Sequence, residues 1–119
     1  MTIKEFTVQN VLRCESATGF NHKLSDWSLS DWMLAVVGEL GEAANIAKKL
    51  NRVRDGIPGN VESELELRAK LRREIADTYI YLDLLCASQD IDLESAIAEV
   101  FEAKSRQIGY GSGQRSGDA

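Results

Sequence analysis

Only one proline, Pro58, occurs in 119 residues, and clusters of turn-forming residues interrupt the chain at only three places. These are residues 19–30, the stretch Asp55-Gly56-Ile57-Pro58-Gly59-Asn60, and the end from Gly109. Between them the text is rich in Ala, Leu, Glu, Lys and Arg, which favour helix, and no stretch alternates with period two long enough for a strand. The chain is therefore confined to a few long helices, an all-α fold.

Residues 3–18 form the first expected helix, with Phe6, Val8, Val11 and Leu12 as its apolar positions. Ser28 or Ser30 offers an N-cap for the second, with Asp31 in its first turn, where the helix dipole favours a negative charge. In that helix Trp32, Val36, Val37, Leu40, Ala43, Ala44 and Ala47 recur at spacings of three and four up to about Arg52. A third helix is expected from Val61 or Ser63 to about Ser88. Its first half is charged, whereas residues 75–87 are apolar nearly all round. A helix apolar on every side has to be covered on every side, which predicts a subunit interface and a homo-oligomer there. The fourth helix, 93–107, should turn Ile97, Val100, Phe101 and Ile108 inwards. Residues 1–108 are expected to form one four-helix domain, and 109–119 a loose Gly/Ser-rich tail.

The net charge of −5 leaves no basic face for a nucleic-acid polymer. A single nucleotide is still admissible, because a metal ion supplies positive charge locally. Cys14 and Cys86 stand in no metal or redox spacing, and His22 is the only histidine. A Cys/His zinc site is thus ruled out of the reading, and the thiols are expected as small apolar residues in a reducing compartment. No signal-like start and no run of about 20 apolar residues is present, so a cytoplasmic protein without membrane attachment is expected.

The chemistry concentrates in Val37-Gly38-Glu39-Leu40-Gly41-Glu42-Ala43 and Arg73-Glu74-Ile75-Ala76-Asp77-Thr78-Tyr79. Each carries two acids spaced i, i+3, about one turn apart on one side of a helix. Glu39 is bracketed by Val36, Ala43 and Ile46, and Asp77 by Ile75, Ile80, Tyr81 and Leu84. Carboxylates set into apolar stripes need a compensating cation, and an all-oxygen ligand set suits Mg²⁺, with Mn²⁺ as a substitute. One such pair alone is ordinary solvated charge. Two pairs on facing helices leave a metal centre and a charged surface both open on spacing alone.

These two motifs, with Lys48-Lys49-Leu50-Asn51-Arg52 and the stretch 101–109, resemble the MazG-like all-α nucleotide pyrophosphatases over residues 27–109. The resemblance implies a Mg²⁺-dependent enzyme that hydrolyses a nucleoside triphosphate, a deoxynucleotide such as dCTP or dATP, to the monophosphate and pyrophosphate. It implies Glu39, Glu42, Glu74 and Asp77 as metal ligands, with Glu39 or Glu42 catalytic through the attacking water. The apolar run 75–87, apart from the resemblance, predicts assembly as a homodimer or homotetramer. Two departures stand out. Many members have glutamate where this chain has Gly38, a form similar to the dCTP-pyrophosphatase branch. Many also carry Lys-Phe-Asn where this chain has Val100-Phe101-Glu102.

Further substrate contacts are weighed residue by residue. Trp27, in a Gly/Ser-bounded loop, is expected in a base pocket, and Trp32 in the core. Tyr81, one turn past Asp77, has two open readings: stacking on a base, or a core tyrosine. Lys48, Lys49 and Arg52 are placed to reach phosphates, although helix C-terminal charge explains them equally well. Lys104 and Arg106 are candidates to replace the missing Lys and Asn contacts. His22 is read as an exposed loop residue and Asp83 as a helix-face charge. The competing functions are a silent helical assembly module and a related hydrolase acting on dUTP or phosphoribosyl-ATP.

Overall fold

Each helix is set off by a cap that the sequence supplies locally. In the computed structural model, which describes residues 1–111, the Thr2 hydroxyl accepts the Glu5 amide at the start of α1, Ile3–Glu15. Ser28 and Asp31 form a capping box on α2, Leu29–Asp55, and Gly56 closes that helix in the left-handed region at φ 68°. Ser63 caps α3, Glu64–Ser88, and Asp92 caps α4, Leu93–Gln107. A single 3₁₀ turn, Leu24–Asp26, precedes α2. The fold is all-α, with four α-helices and no strand among the described residues. None of these helices is long and apolar enough to cross a membrane. Of the expected tail, residues 112–119 lie outside the described residues.

The frame is an antiparallel hairpin of α2 and α3, helices of 27 and 25 residues and so roughly 40 Å long. Trp32, Val36 and Ala43 of α2 and Leu67, Leu84 and Leu85 of α3 are its buried residues, with Trp32 only 1% exposed. At the far end the connection is tied back on itself. Asn60 Nδ2 donates to the Lys49 carbonyl at 2.8 Å, and Glu62 receives the ammonium groups of Lys49 at 3.0 Å and Lys70 at 3.1 Å.

Helix α1 covers the other end of α3, packing Cys14 and Val11 on the core and Phe6 beside Tyr79, and it adds a buried polar anchor. Asp83, 1% exposed, accepts Thr7 Oγ1 at 2.6 Å and Asn10 Nδ2 at 3.0 Å, and Asn10 also reaches the Ile80 carbonyl at 3.0 Å. Asp83 is therefore a buried anchor for α1 and not the helix-face charge expected. The buried residues of α1 are Asn10 and Cys14, whereas Val8 and Leu12, expected inside, face outwards. The helix also ends at Glu15, short of Thr18, because the chain turns sharply onto the Arg13 and Cys14 carbonyls.

Two further expectations change. The apolar stretch 75–87 is partly covered within the chain: residues 83–86 are buried between α1 and α2, while Ile75 stays exposed. Helix α4 does not turn its apolar residues inwards. Val100 is 70% and Phe101 65% exposed, and Ile97 and Ile108 are exposed as well. It leans mainly on α1, where Lys4 meets Asp92 at 3.6 Å and Glu94 at 3.7 Å. A closed four-helix bundle is thus not formed by one chain. The radius of gyration is 19.0 Å, against about 13–14 Å for a compact domain of this length.

The Asp83 anchor yields a stability prediction. Asp83→Ala strands the Asn10 amide and the Thr7 hydroxyl in an apolar seam, and should destabilise by about 2–4 kcal/mol. Thermal unfolding followed by circular dichroism measures this, and hydrogen exchange should rise first in α1.

Candidate metal centre and aromatic cavity

The seam that buries Trp32, Val36 and Ala43 places Glu39 on the same stripe of α2, and Leu67 and Leu85 fix Glu74 on the facing stripe of α3. One carboxylate oxygen from each of Glu39, Glu74 and Asp77 lies within 4.8 Å of the other two. All three residues are half-buried, and Glu42 borders them from the exposed edge. Opposite oxygens of a Mg²⁺ octahedron stand about 4.2 Å apart, so the cluster has the span a small divalent cation requires.

The electrostatics of the cluster are dominated by like charge. None of the four acids has a cationic side chain within ion-pairing distance among the described residues. Burial, then the charge of Glu42, pushes the Glu39 carboxyl above the usual range. Glu42 is also raised, first by a hydrogen bond shared with Glu74 and then by the Glu74 charge. Oxygen Oε2 of Glu74 is fully buried and has no hydrogen-bond partner. A buried, unpartnered carboxylate oxygen among three other acids fits a bound cation, and Glu39, Glu42, Glu74 and Asp77 are the residues that would hold it. At Gly38 an added Cβ would meet nothing within 4 Å, so that position has room but supplies no ligand.

The same face of the hairpin continues into a cavity of about 250 Å³ lined by Phe20, His22, Trp27, Trp32, Tyr81, Leu84 and Cys14. Tyr81 lies four residues, roughly 6 Å of helix rise, beyond Asp77, so the cavity begins about one turn along α3 from the acids. The His22 ring stands edge-on to Trp27 and Trp32, with centroids 4.7 Å and 5.7 Å away. The turn that delivers it is dictated by close approach. A Cβ at Gly19 would collide with the Arg13 carbonyl oxygen. Asn21 adopts φ 52°, and the His22 amide donates to the Cys14 carbonyl at 2.8 Å. Cys14 Sγ in turn donates to the His22 carbonyl at 3.1 Å, and Trp32 Nε1 to the Leu24 carbonyl at 3.2 Å. Burial pushes both free thiols, Cys14 and Cys86, up, as suits small apolar residues.

Of the residues expected at the site, Glu39, Glu74 and Asp77 come together with Glu42 beside them, and Trp27 and Tyr81 line the cavity. Trp32 serves both as core and as cavity wall. His22 is half-buried with Nδ1 unpartnered, so its expected exposure is corrected. The signal that could have found it is the crowding of Phe20, His22, Trp27 and Trp32 in a chain with 7% aromatic residues. Lys49 is engaged by Glu62, while Lys48 is exposed and Arg52 half-buried further along α2. Lys104 and Arg106 lie exposed on α4, where Arg106 reaches Glu102 at 3.8 Å.

Two outcomes follow. Saturating Mg²⁺ or Mn²⁺ at ten times its Kd should stabilise the fold by about 1.4 kcal/mol. Glu74→Gln should melt higher than wild type without metal, because repulsion is relieved, and should lose the metal response; paired thermal melts in EDTA and in metal measure both. Glu62 is held at about 2, below its ordinary 4.5, first by Lys49 and then by Lys70. A depressed carboxyl stabilises the fold above its ordinary value, so the advantage of wild type over Glu62→Gln should be full above about pH 4.5 and shrink towards pH 2 in acid titrations. Comparison with family models, with curated proteins and with solved structures finds no match for this chain.

Proposed function

We propose that this chain is a Mg²⁺-dependent nucleoside triphosphate pyrophosphohydrolase of the MazG-like kind, working as a homo-oligomer. One observation carries the reading: three converging carboxylates with Glu42 beside them, one with a buried unpartnered oxygen, share a hairpin face with an aromatic cavity one helical turn away. The cavity falls just below the range of about 300–1,000 Å³ typical of drug-sized ligand sites, the scale of one heterocycle. A base held between Trp27, Trp32 and Tyr81 directs its sugar and phosphates along α3 towards Asp77 and Glu39. His22 Nδ1 is free to meet a polar edge of the base.

Glu39, Glu42, Glu74 and Asp77 would hold the metal. Bound there, Mg²⁺ supplies charge neutralisation and in-line alignment of the triphosphate. Glu39, whose carboxyl is raised by burial, is the group suited to orient water and accept its proton at the α-phosphorus. The half-buried placement of three acids supports this reading over a silent assembly module, in which nothing would offset their mutual repulsion. A hydrolase acting on dUTP or phosphoribosyl-ATP uses the same acids and differs only at the cavity.

The test is pyrophosphate release from a panel of canonical and modified NTPs and dNTPs, with Mg²⁺ and with EDTA. Metal-dependent release with a nucleoside monophosphate as co-product is expected. Glu42→Ala should lower kcat by at least about 10²-fold, the scale of losing one electrostatic stabiliser. Trp27→Ala should raise KM more than it lowers kcat. A folded protein that binds Mg²⁺ and releases pyrophosphate from no triphosphate would sink the proposal.

A further inference from the structure

Next to the acids, the hairpin draws two ammonium groups onto one oxygen. Lys49 Nζ stands 3.0 Å and Lys70 Nζ 3.1 Å from Oε2 of Glu62, and Lys49 also donates to Oε1 at 3.3 Å. Both lysines come from the stripes that carry the acids. Lys70 precedes Glu74 by one turn of α3, and Lys49 follows Glu42 by two turns of α2. The order along α3 is therefore Tyr81 at the cavity, then Asp77, Glu74 and Lys70. Each is about one turn from the next, over roughly 16 Å of helix rise in all.

A carboxylate oxygen that receives two ammonium groups presents to them what a phosphate oxygen would. Glu62 is fully ionised at neutral pH, its carboxyl held at about 2 first by Lys49 and then by Lys70, so the three groups together keep one positive charge. With the lysine side chains 34% and 47% exposed, these ion pairs are screened and exchange for another anion at little cost. The hairpin end does not rest on them alone, because Asn60 Nδ2 holds the Lys49 carbonyl and not its ammonium. Arg73, one turn before Asp77, has no ion pair among the described residues and adds a further cation on that side.

We propose that Lys49 and Lys70 hold the diphosphate end of the triphosphate, and that Glu62 keeps both ammonium groups in place until it arrives. The identity of the ligand rests on the hydrolase reading above. In that reaction water adds its oxygen to the α-phosphorus and its proton passes to Glu39. The bond from the α-phosphorus to the bridging oxygen breaks, and its electron pair leaves with pyrophosphate. The charge so gained develops towards Lys70, where the two ammonium groups stabilise it. Their return to Glu62 then releases pyrophosphate.

Titration calorimetry with inorganic pyrophosphate in Mg²⁺, which needs no turnover, tests the site. Wild type should bind pyrophosphate. Lys70→Gln and Lys49→Gln should each weaken that binding about tenfold, the scale of one hydrogen bond to a charged group, without weakening Mg²⁺ binding. Glu62→Gln frees both ammonium groups and should bind pyrophosphate several-fold more tightly, although its fold is less stable. That sign separates the site from a plain tie between helices, whose loss would loosen the site and weaken binding. No pyrophosphate binding by wild type, unchanged binding in both lysine variants, or weaker binding by Glu62→Gln with unchanged helical circular dichroism would each overturn the proposal. If the expected pattern holds while no triphosphate is turned over, the diphosphate site stands and the hydrolase reading alone fails.

Discussion

The seam between α2 and α3 fixes everything else in this molecule. Leu67, Leu84 and Leu85 meet Trp32, Val36 and Ala43 in one register, and side chains three or four positions away inherit their places from it. A slip of one residue turns a helix by about 100° and would carry Glu74 and Asp77 away from Glu39. The chain guards that register at both ends. Glu62 binds Lys49 and Lys70 across the connection, and Trp32 is fixed by its bond to the Leu24 carbonyl.

The acids work against the same seam. Burial and the mutual charge of three clustered carboxylates, with Glu42 at their edge and no lysine or arginine paired to them, hold the Glu39 and Glu42 carboxyls above the usual range. Such a group is tolerated where the surrounding packing is strong, and here it sits between the buried Ala43 and Leu67 on one side and the aromatic cluster on the other. The lysines nearest along α2 do not relieve it, since Lys49 is spent on Glu62. Protonation of Glu39 or Glu42, whose carboxyls are raised, offsets part of the charge, and a bound cation would offset more.

How much of this the residues disclosed depends on whether the deciding neighbour is near in sequence. Caps are local, so Ser28 and Ser63 were each one of the two starting positions that the sequence offered. The i, i+3 acids in apolar stripes were legible too, because a helix stripe of 3.6-residue period is a property of one segment. Asp83 and His22 were misread because their partners are distant or irregular. Asp83 is explained only by Thr7 and Asn10 of α1, more than 70 positions away. His22 is explained only by a turn in which Gly19 rides on the Arg13 carbonyl. The apolar stripe of α4 was read correctly as a stripe. Periodicity says that such residues share a face; it does not say which chain supplies the opposite face.

The arrangement of faces bears on how assembly and chemistry can coexist. Acids and cavity share one flank of the hairpin, while Met33, Val37, Leu40 and Ile75 share the other. A partner seated on the apolar flank would leave the acids and the cavity uncovered, and it would clamp the helices from behind. That clamp matters because α1 braces only the Trp32 end, so within one chain the half carrying Glu42 and Glu74 is held by two helices alone. An antiparallel pair of helices with both outer sides in water is a weak platform for holding like charges together. Covering its apolar flank with a third helix would stiffen the segment in which the repulsion is greatest.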